Sequence, residues 1–434
     1  MRSRRFRWYE FFAGGGLARL GLGSRWECTF ANELCPKKAA AYRAYFGECP
    51  ELRVADVATL TTADIPGCAD LAWGSFPCQD LSLAGAGKGL NGNRSGTLWP
   101  FWRLIAELGC EGRSPRMVVL ENVVGALTSH GGADFGEIVR AMAEAGYRVG
   151  ALVIDAARFL PQSRPRLFVV GVRTEASVPA ELEGEGPGEW HTRGVREAFE
   201  RLPEALRRSW IWWALPSPSP MPATLAEVVE NAADWHDAAY TRRLIELMSE
   251  RDRGKLRKAQ AASGRVVGTI YRRTREVNGG RRQRAEVRFD GIAGCLRTPA
   301  GGSSRQTLVI VEGARVRSRL LTAREAARLM GVPDDYPTPD GYNEAYHLFG
   351  DGLAVPVVSY LEQHLLSRLA CGAELQLRGG ASRAAPSGGP GGPAAEQELR
   401  PTSLQTSSNP ARACRAGCPS SRRTRRASPG GRQP

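Results

Sequence analysis

The segment RWYEFFAGGG, residues 7–16, constrains the fold of this chain more than any other feature. Its aromatic first half is typical of a buried β-strand, and the glycines that follow allow a tight turn before the helix-like LARLGLG. Gly14 and Gly16 match the first two glycines of a dinucleotide-binding fingerprint, but Arg19 occupies the third position. We therefore predict a turn that a ligand can approach closely, without the full pyrophosphate signature.

Strand-like and helix-like segments continue to alternate as far as PRLFVVGV at residues 165–172. This alternation predicts an α/β fold, with a parallel sheet in the N-terminal half. Ligands of open α/β sheets bind beyond the carboxyl ends of the strands. Cys78 and Glu121 both stand at such ends, so they are expected to converge, and Glu33 closes the second apolar segment where a ribose-binding carboxylate is expected.

Length and composition exclude several classes of protein. The chain has 434 residues, of which 42% are hydrophobic, so it can bury a large core in two or three domains. It lacks a run of 18 apolar residues, so neither a membrane span nor a membrane partner is expected, and we predict a cytoplasmic location. The scattered cysteines indicate neither disulfides nor a metal site; Cys414 and Cys418 are four apart but have no histidine beside them.

The net charge of the chain is +14, and the excess of positive charge is concentrated in two stretches. Residues 372–434 hold ten Arg and three Glu among many Gly, Pro, Ser and Ala, a composition that predicts a disordered basic tail. Residues 242–288 hold fifteen Lys or Arg against five Asp or Glu, which gives this interior stretch a charge of +10. A patch of this density indicates either a polyanion partner or an ordinary solvated surface.

A cysteine stands between proline and glutamine in GSFPCQDLS, residues 74–82. Taken alone, Cys78 is better explained as a small buried hydrophobe than as a nucleophile. The interpretation of Cys78 as a nucleophile depends on six motifs and their order along the chain: FFAGGG, GSFPCQDLS, LENV, QSRPR, LLTAREAARLMGVP and FGDGLAVPVV. In this order they resemble the motif set of the DNA cytosine-5 methyltransferases, over residues 8–369 apart from a variable interior stretch.

The resemblance implies a Rossmann-like domain that binds S-adenosylmethionine, with a smaller target-recognition domain inserted in it. We assign residues 1–173 to the catalytic domain, 174–314 to the DNA-reading domain, 315–371 to the return of the catalytic domain and 372–434 to the tail. The implied reaction is methyl transfer to carbon 5 of a cytosine flipped out of double-stranded DNA. A monomer is expected, and a cognate restriction endonuclease is a possible partner.

The resemblance also implies catalytic roles. The Cys78 thiolate adds to carbon 6 of cytosine, which activates carbon 5, and Glu121 meets the N3 edge as an acid whose pKa is raised in a closed pocket. Five neighbours complete the expected set: Pro77, whose carbonyl accepts from the exocyclic amine; Gln79, beside the nucleophile; Asn122, which holds the surrounding loop; Arg164, which braces Glu121 or the thiolate; and Arg166, which binds the O2 oxygen.

The cofactor site is implied in the same way. Glu33 is assigned to the ribose hydroxyls and Asp56 to the adenine amino group, although both could instead cap helices. The remaining expected cofactor residues are Phe12, Ala13, Gly14, Gly16, Leu98 and Asp351. The family more often has Asn at the position of Asp351, and the carboxylate keeps the acceptor but loses the amide donor.

In the variable interior, VVGTIYRRTREVNGGRRQRAEVRFDG predicts a hairpin that turns at NGG, residues 278–280, and brings arginines to DNA. The glycine-rich loop GAGKGLNGNRSG, directly after the GSFPCQDLS motif, is expected to close over the flipped base. Two alternatives remain. One is a transfer-RNA methyltransferase of the same family, although a CFT-like signature is missing, and the other is a catalytically silent DNA-binding relative.

Overall fold

A computed structural model describes residues 5–77, 95–219, 224–231, 234–277, 279–297 and 305–372. The strands within these ranges are β1 Phe6–Phe11, β2 Trp26–Glu33, β3 Leu52–Val54, β4 Leu71–Gly74, β5 Met117–Val123, β6 Tyr147–Asp155, β7 Pro165–Arg173, β8 Glu183–Gly184, β9 Trp212–Trp213, β10 Arg265–Val277, β11 Gly280–Arg288, β12 Thr307–Glu312 and β13 Arg315–Leu320. The helices are α1 Leu17–Leu22, α2 Pro36–Phe46, α3 Leu98–Cys110, α4 Ala133–Glu144, α5 Arg193–Arg201, α6 Glu204–Arg208, α7 Leu225–Val228, α8 Ala238–Glu246, α9 Glu250–Ala261, α10 Ala323–Arg328, α11 Tyr342–Asp351 and α12 Val355–Leu361.

A seven-stranded sheet in the order β3-β2-β1-β4-β5-β7-β6 organises the larger part of the molecule. The first five strands of this order are parallel, which confirms the parallel sheet predicted for the N-terminal half. β7 runs antiparallel to both β5 and β6. Its reversed direction places the first residues of β7 at the edge where β5 ends, and Arg166 pairs in register with Val123.

The large sheet is covered on both faces, as a mostly parallel sheet requires. Along β1, Phe6 and Trp8 enter one core together with residues of α1, α11 and α12, while Tyr9 and Phe11 enter the other core with residues of α3 and α4. The period of two that governs side chains in a strand thus divides the aromatic residues of β1 between two hydrophobic layers. These layers fix the sheet edge on which the candidate site is built.

A four-stranded antiparallel sheet in the order β11-β10-β12-β13 forms the second architectural element. β10 and β11 pair from Thr269 with Arg288 to Val277 with Gly280, which confirms the hairpin predicted from the NGG signal. Asn278 itself lies outside the described residues. Helices α8 and α9 pack on one face of this sheet through a small apolar cluster that includes Leu244, Leu256, Ile270 and Val287.

Packing does not follow the assigned segment boundaries residue by residue. Residues 182–213, assigned to the recognition domain, contribute Leu182, Val195, Trp210 and Trp213 to the two cores of the large sheet. β13, assigned to the returning catalytic segment, pairs with β12 in the smaller sheet. Within the described part of the chain, no helix combines the length and the hydropathy needed to cross a membrane.

Candidate active site

The carboxyl edge of the large sheet borders a cavity of about 490 Å³. Residues from the ends of β1, β2, β4 and β5 line it, together with the start of α2, the end of α11 and the segment before β7. The cavity contains these residues from the predicted site: Phe12, Ala13, Gly14, Glu33, Asp56, Pro77, Glu121, Asn122, Arg164, Arg166 and Asp351. The structure therefore brings together most of the predicted residues that it describes.

Four predicted residues stand apart from this set. Cys78 and Gln79 lie outside the described residues, although Cys78 directly follows Pro77. Leu98, the first residue of α3, is buried in the hydrophobic core and is not among the described residues that line the cavity. Gly16 also lies behind the cavity wall, where a Cβ atom would come within 2.4 Å of Phe46, so the close packing of α1 against α2 requires glycine there.

The turn after β1 is held in an unusual backbone conformation. Phe12 has φ +58° and Gly14 has φ +57°, both in the left-handed region, which non-glycine residues seldom adopt. The Ala13 amide donates to the Asn32 carbonyl at 2.9 Å, and the Gly16 amide donates to the Ala13 carbonyl at 2.9 Å. These bonds turn the chain sharply and place the Phe12 side chain on the cavity wall.

Glu33 ends β2 and connects the turn to the next helix. Its Oε2 atom accepts from the Gly14 amide at 2.7 Å, and its Oε1 atom accepts from the Cys35 amide at 2.8 Å. The residue is 7% exposed and lines the cavity. Because backbone donors fix both oxygens, the carboxylate is held rigidly, with remaining lone pairs available to a ligand.

Asp56 caps a turn and also lines the cavity, so the two roles that the sequence presented as alternatives are both open to it. Its Oδ1 atom accepts from the Ala58 amide at 2.9 Å and caps the short 3₁₀ turn Val57–Thr59. The same residue lines the cavity, so capping and ligand contact do not exclude each other.

Glu10 is a buried carboxyl group at this end of the cavity that the sequence analysis missed. It is 1% exposed, and its Oε2 atom accepts from the Tyr42 hydroxyl at 3.2 Å. Its Oε1 atom has no hydrogen-bond partner among the described residues. Burial raises the pKa of Glu10 to about 8, against the opposing effect of Arg19. An acidic residue inside a strand that otherwise reads as apolar was the available signal.

Glu121 and Arg166 form a charged pair at the other end of the cavity. The Arg166 Nε atom lies 3.2 Å from the Glu121 Oε1 atom, and both side chains are largely buried. Burial raises the pKa of Glu121 above its ordinary value, and it outweighs the guanidinium groups of Arg166 and Arg164. Glu121 is therefore a buried acid that keeps its proton to a higher pH than an exposed glutamate does.

Asn122 connects the end of β5 to the segment that precedes the predicted nucleophile. Its Nδ2 atom donates to the Phe76 carbonyl at 3.0 Å, and its Oδ1 atom accepts from the Val123 amide at 2.9 Å. Phe76 and Pro77 lead directly to Cys78 in the sequence. The amide of Asn122 thus fixes the path of the chain that enters the GSFPCQDLS motif.

Arg164 is held mainly by carbonyl groups from distant parts of the chain. Its Nη2 atom donates to the Gly350 carbonyl at 2.9 Å and to the Gly352 carbonyl at 2.6 Å, and its Nη1 atom donates to the Leu296 carbonyl at 3.1 Å. The sequence analysis expected Arg164 to brace Glu121 or the Cys78 thiolate, and this stays a prediction because Cys78 lies outside the described residues. The charged pair with Glu121 at 3.2 Å is made by Arg166, and the carbonyl contacts of Arg164 join three chain segments at the cavity.

Cys295 is a second residue that sequence reasoning missed. Its Sγ atom lies 3.4 Å from Arg164 Nη1 and 3.9 Å from Arg166 Nη2. Burial opposes ionisation of this thiol, but the two guanidinium groups outweigh it and lower the pKa of Cys295. The surrounding sequence, AGCLRTP, contains no pattern that would connect this cysteine to residues 164–166.

Asp351 ends α11 and pairs across the cavity mouth with Lys38, which begins α2. The Lys38 Nζ atom lies 2.7 Å from the Asp351 Oδ2 atom, and both residues line the cavity. Lys38 was not among the predicted site residues. The lysine doublet after Pro36 was visible in the sequence, but only the fold brings it to a residue more than 300 positions away.

The face of the smaller sheet opposite α8 and α9 carries a group of arginines at the hairpin. Arg273 pairs in register with Arg284, and Arg275 with Arg282, so like charges stand directly across from each other. Cross-strand pairs of like charge destabilise a hairpin unless an anion compensates them. Glu286 contacts Arg273 and Arg275, and this carboxylate is the intramolecular compensation that the described contacts show for the two cross-strand pairs.

The covered sheet, the glycine turn and the carboxylate at the end of β2 define an α/β protein of the class that binds a nucleoside-containing ligand at its carboxyl edge. Residues 6–367 match the model of the C-5 cytosine-specific DNA methylase family, and the chain belongs to this family. It is therefore a DNA cytosine-5 methyltransferase by class, as its motif order predicted.

Individual relatives agree with this assignment. The chain is 28% identical to the Type II methyltransferase M.HhaI of Haemophilus parahaemolyticus, over 84% of this chain and 95% of that protein. It is 26% identical to the Type II methyltransferase M.SsoII of Shigella sonnei, over 84% of this chain and 81% of that protein. The structure of the Entamoeba histolytica methyltransferase EhMeth superposes with a TM-score of 0.54 at 14% identity, over 85% of this chain and 99% of EhMeth, which supports the fold alone.

Proposed function

We propose that the protein transfers a methyl group from S-adenosylmethionine to carbon 5 of a cytosine that is flipped out of double-stranded DNA. The main support is the buried pair of Glu121 and Arg166, 3.2 Å apart, at the end of the cavity that Pro77 borders. A protonated carboxyl group and a guanidinium match the N3 and O2 atoms of cytosine, which accept hydrogen bonds on one edge of the ring.

The residues at the opposite end fit the cofactor. The cavity volume lies within the range of small-molecule sites. Glu33 offers a fixed carboxylate to a ribose, and the left-handed turn at Gly14 exposes backbone to a ligand. Glu10, which lines the same end, has a buried oxygen without a described hydrogen-bond partner, and a donor group of the ligand would satisfy it. S-adenosylmethionine, when bound, supplies an electrophilic methyl group on a sulfonium centre.

The residues of the chain prepare cytosine for this methyl group. The Cys78 thiolate forms a bond to carbon 6, and the ring electrons shift toward N3 and carbon 5. Glu121 holds its proton at N3, so negative charge does not accumulate there, and Arg166 holds the O2 oxygen. After methylation, carbon 5 gives up its proton to a water molecule, and the electron pair of that bond restores the ring double bond as the bond between sulfur and carbon 6 breaks, which returns the thiolate.

Recognition of DNA is assigned to the smaller sheet, in keeping with the proposed division at residues 174–314. The cross-strand arginine pairs on the face opposite α8 and α9 lack enough local anions, and phosphate groups would compensate them. The description of the matched family, which names DNA, favours DNA over transfer RNA as the substrate. A restriction endonuclease partner and a monomeric state remain predictions.

The proposed chemistry is tested with Cys78→Ser. A serine hydroxyl is much less ionised than a thiol at neutral pH, so the variant should lose methyl transfer while it still binds S-adenosylmethionine and DNA. The wild type should form a denaturation-resistant adduct with DNA containing 5-fluorocytosine, because fluorine cannot leave carbon 5 as a proton does. Methyl transfer by the serine variant at the wild-type rate, or an adduct mapped to another cysteine, would contradict the proposal.

The DNA-binding face is tested with the double substitution Arg275→Ala and Arg282→Ala. Binding should weaken for all sequences, and the slope of log K against log salt should become shallower by about 2 because two phosphate contacts are lost. Arg281→Ala is the matched control, since Arg281 pairs with Glu276 on the face that carries α8 and α9. Equal effects of the double variant and the control on the salt slope would refute this assignment.

A further inference from the structure

Two consecutive lysines at the start of α2 each contact a carboxylate of α11. Lys37 pairs with Glu344 and Lys38 pairs with Asp351, so the two ion pairs join the same two helices. They differ in location, because Lys38 and Asp351 line the cavity whereas Lys37 and Glu344 are not among its described lining residues. The pair of Lys37 and Glu344, away from the described cavity lining, therefore serves as a comparison for the pair of Lys38 and Asp351 within it.

Lys38 pairs with the Asp351 carboxylate and is also influenced by the negative charge of Glu33. Its side chain is 21% exposed, against 72% for Lys37. Burial alone would lower the pKa of Lys38, but Asp351 outweighs it and Glu33 contributes in the same direction, so the pKa is raised. The ammonium group therefore stays charged in the lining of the cavity and offsets the negative charge of the two carboxylates.

The carboxylates of Glu33 and Asp351 and the ammonium group of Lys38 provide the hydrogen-bond partners that a vicinal diol requires. Backbone amides fix both oxygens of Glu33, and Lys38 fixes the Oδ2 atom of Asp351. Each hydroxyl of a ribose can donate to a carboxylate and accept from an ammonium group. The Lys38 ammonium group and the carboxylates of Glu33 and Asp351, which line the same cavity, therefore supply both a donor and acceptors for these hydroxyls.

We propose that Lys38 is a cofactor-specificity residue, which binds the ribose diol of S-adenosylmethionine together with Glu33 and Asp351. This inference rests on the proposed function, since the ligand is the cofactor of that reaction. It also explains how an aspartate can occupy the position of Asp351, where the family more often has asparagine: Lys38 supplies the donor that the missing amide would have provided.

The test measures binding of S-adenosylhomocysteine and of its 2′-deoxy and 3′-deoxy forms by calorimetry, with the full chain. Lys38→Met should weaken binding of S-adenosylhomocysteine by about tenfold, the effect expected for loss of a charge-assisted hydrogen bond. The same variant should discriminate less than the wild type between the full ribose and at least one deoxy form. Lys37→Met, the matched control, should bind all three ligands as the wild type does.

Two further variants keep the test decisive. Lys38→Arg retains the charge and should keep most of the affinity, so it remains informative if Lys38→Met fails to fold. In the double variant Lys38→Met with Asp351→Asn, the loss should be smaller than the product of the two single losses, because both single changes break one ion pair.

The outcomes separate the inference from the proposed function. If the wild type does not bind S-adenosylhomocysteine, the proposed function and this inference both fail. If the wild type binds it and Lys38→Met binds each of the three ligands as tightly as the wild type does, the inference alone is wrong. If Lys37→Met and Lys38→Met weaken binding to the same extent, the ion pairs act only by joining the helices, and Lys38 has no role in specificity.

Discussion

The two ends of the cavity are built in different ways. At the Glu33 end, Glu33 and Asp56 are held by backbone amides within a few residues or by the adjoining turn, as in the contacts of Glu33 with Cys35 and of Asp56 with Ala58, whereas Asp351 depends on the distant Lys38. At the Glu121 end, side chains hold one another across long stretches of sequence, and Arg164 is fixed by carbonyls of residues 296, 350 and 352.

This difference separates binding from chemistry. The local backbone fixes Glu33 and Asp56 as a rigid cradle, and such a cradle suits a ligand that enters and leaves in every cycle. A buried acid beside a guanidinium has a perturbed pKa, and perturbed pKa values are typical of proton-handling sites. Substitutions at the two ends should therefore affect different kinetic constants.

The largest effect is expected from Glu121→Gln. The amide cannot supply a proton to N3, so kcat should fall by about 10²- to 10⁴-fold, the usual contribution of general acid catalysis, while the Kd for S-adenosylmethionine changes little. The raised pKa of Glu121 also predicts that the wild-type rate falls as pH rises through that pKa, a dependence that the variant should lack. Single-turnover methylation over a pH series measures both effects, and a variant as fast as the wild type would show that Glu121 donates no proton.

A smaller effect, on binding instead of on the rate, is expected from Glu33→Ala. The change removes a ribose acceptor and leaves the amides of Gly14 and Cys35 without their partner, so the Kd for S-adenosylmethionine should rise by about 10- to 100-fold. At saturating cofactor, kcat should stay close to the wild-type value. Glu27→Ala, an exposed change on the same strand, is the control. A large loss of kcat in Glu33→Ala at saturation would mean that the two ends are not separable.

The smallest effect on activity, but a clear effect on stability, is expected from Glu10→Gln. The pKa of Glu10 is about 8 in the folded protein against 4.5 ordinarily, so the folded state binds more protons than the unfolded chain between these values. As pH rises through this window, the free energy of unfolding of the wild type should therefore decrease by an amount on the order of a few kcal/mol. Above the window it should level off.

Because glutamine cannot ionise, Glu10→Gln should remove this part of the pH dependence and be relatively more stable near pH 8. Denaturant unfolding at several pH values measures the difference. An unchanged slope of stability against pH would show that Glu10 is ionised in the folded protein, and the carboxylate end would then carry one more negative charge than its hydrogen bonds suggest.

The same contrast explains what the sequence could predict of the site. Glu33 and Asp56 follow strand-like segments at short range, so their place at the sheet edge could be predicted from the local pattern. Lys38 and Cys295 meet their partners only through tertiary structure, across 313 and more than 120 positions. A single sequence contains no signal for such contacts, because neither residue belongs to a local motif.

In the fold as well, local features could be predicted from the sequence and a long-range feature could not. Alternating apolar segments predicted the parallel strands β1, β2 and β4, and the NGG turn signal predicted the hairpin of β10 and β11. The direction of β7 could not be derived in this way, because an apolar run reads equally well in a parallel or an antiparallel strand. Its reversal is nonetheless what places Arg166 beside Val123 at the edge that carries Glu121.

The bonds of Arg164 to the carbonyls of Gly350 and Gly352 bear on how the enzyme is made. A ribosome synthesises these glycines almost 190 residues after the arginine. Until they emerge, a nascent chain has a buried guanidinium without two of its acceptors, and this arrangement is costly. Methylating activity should therefore appear only when the last helices dock. If the chain is cut at a point between residues 297 and 305, the two fragments should show methylating activity only when they associate.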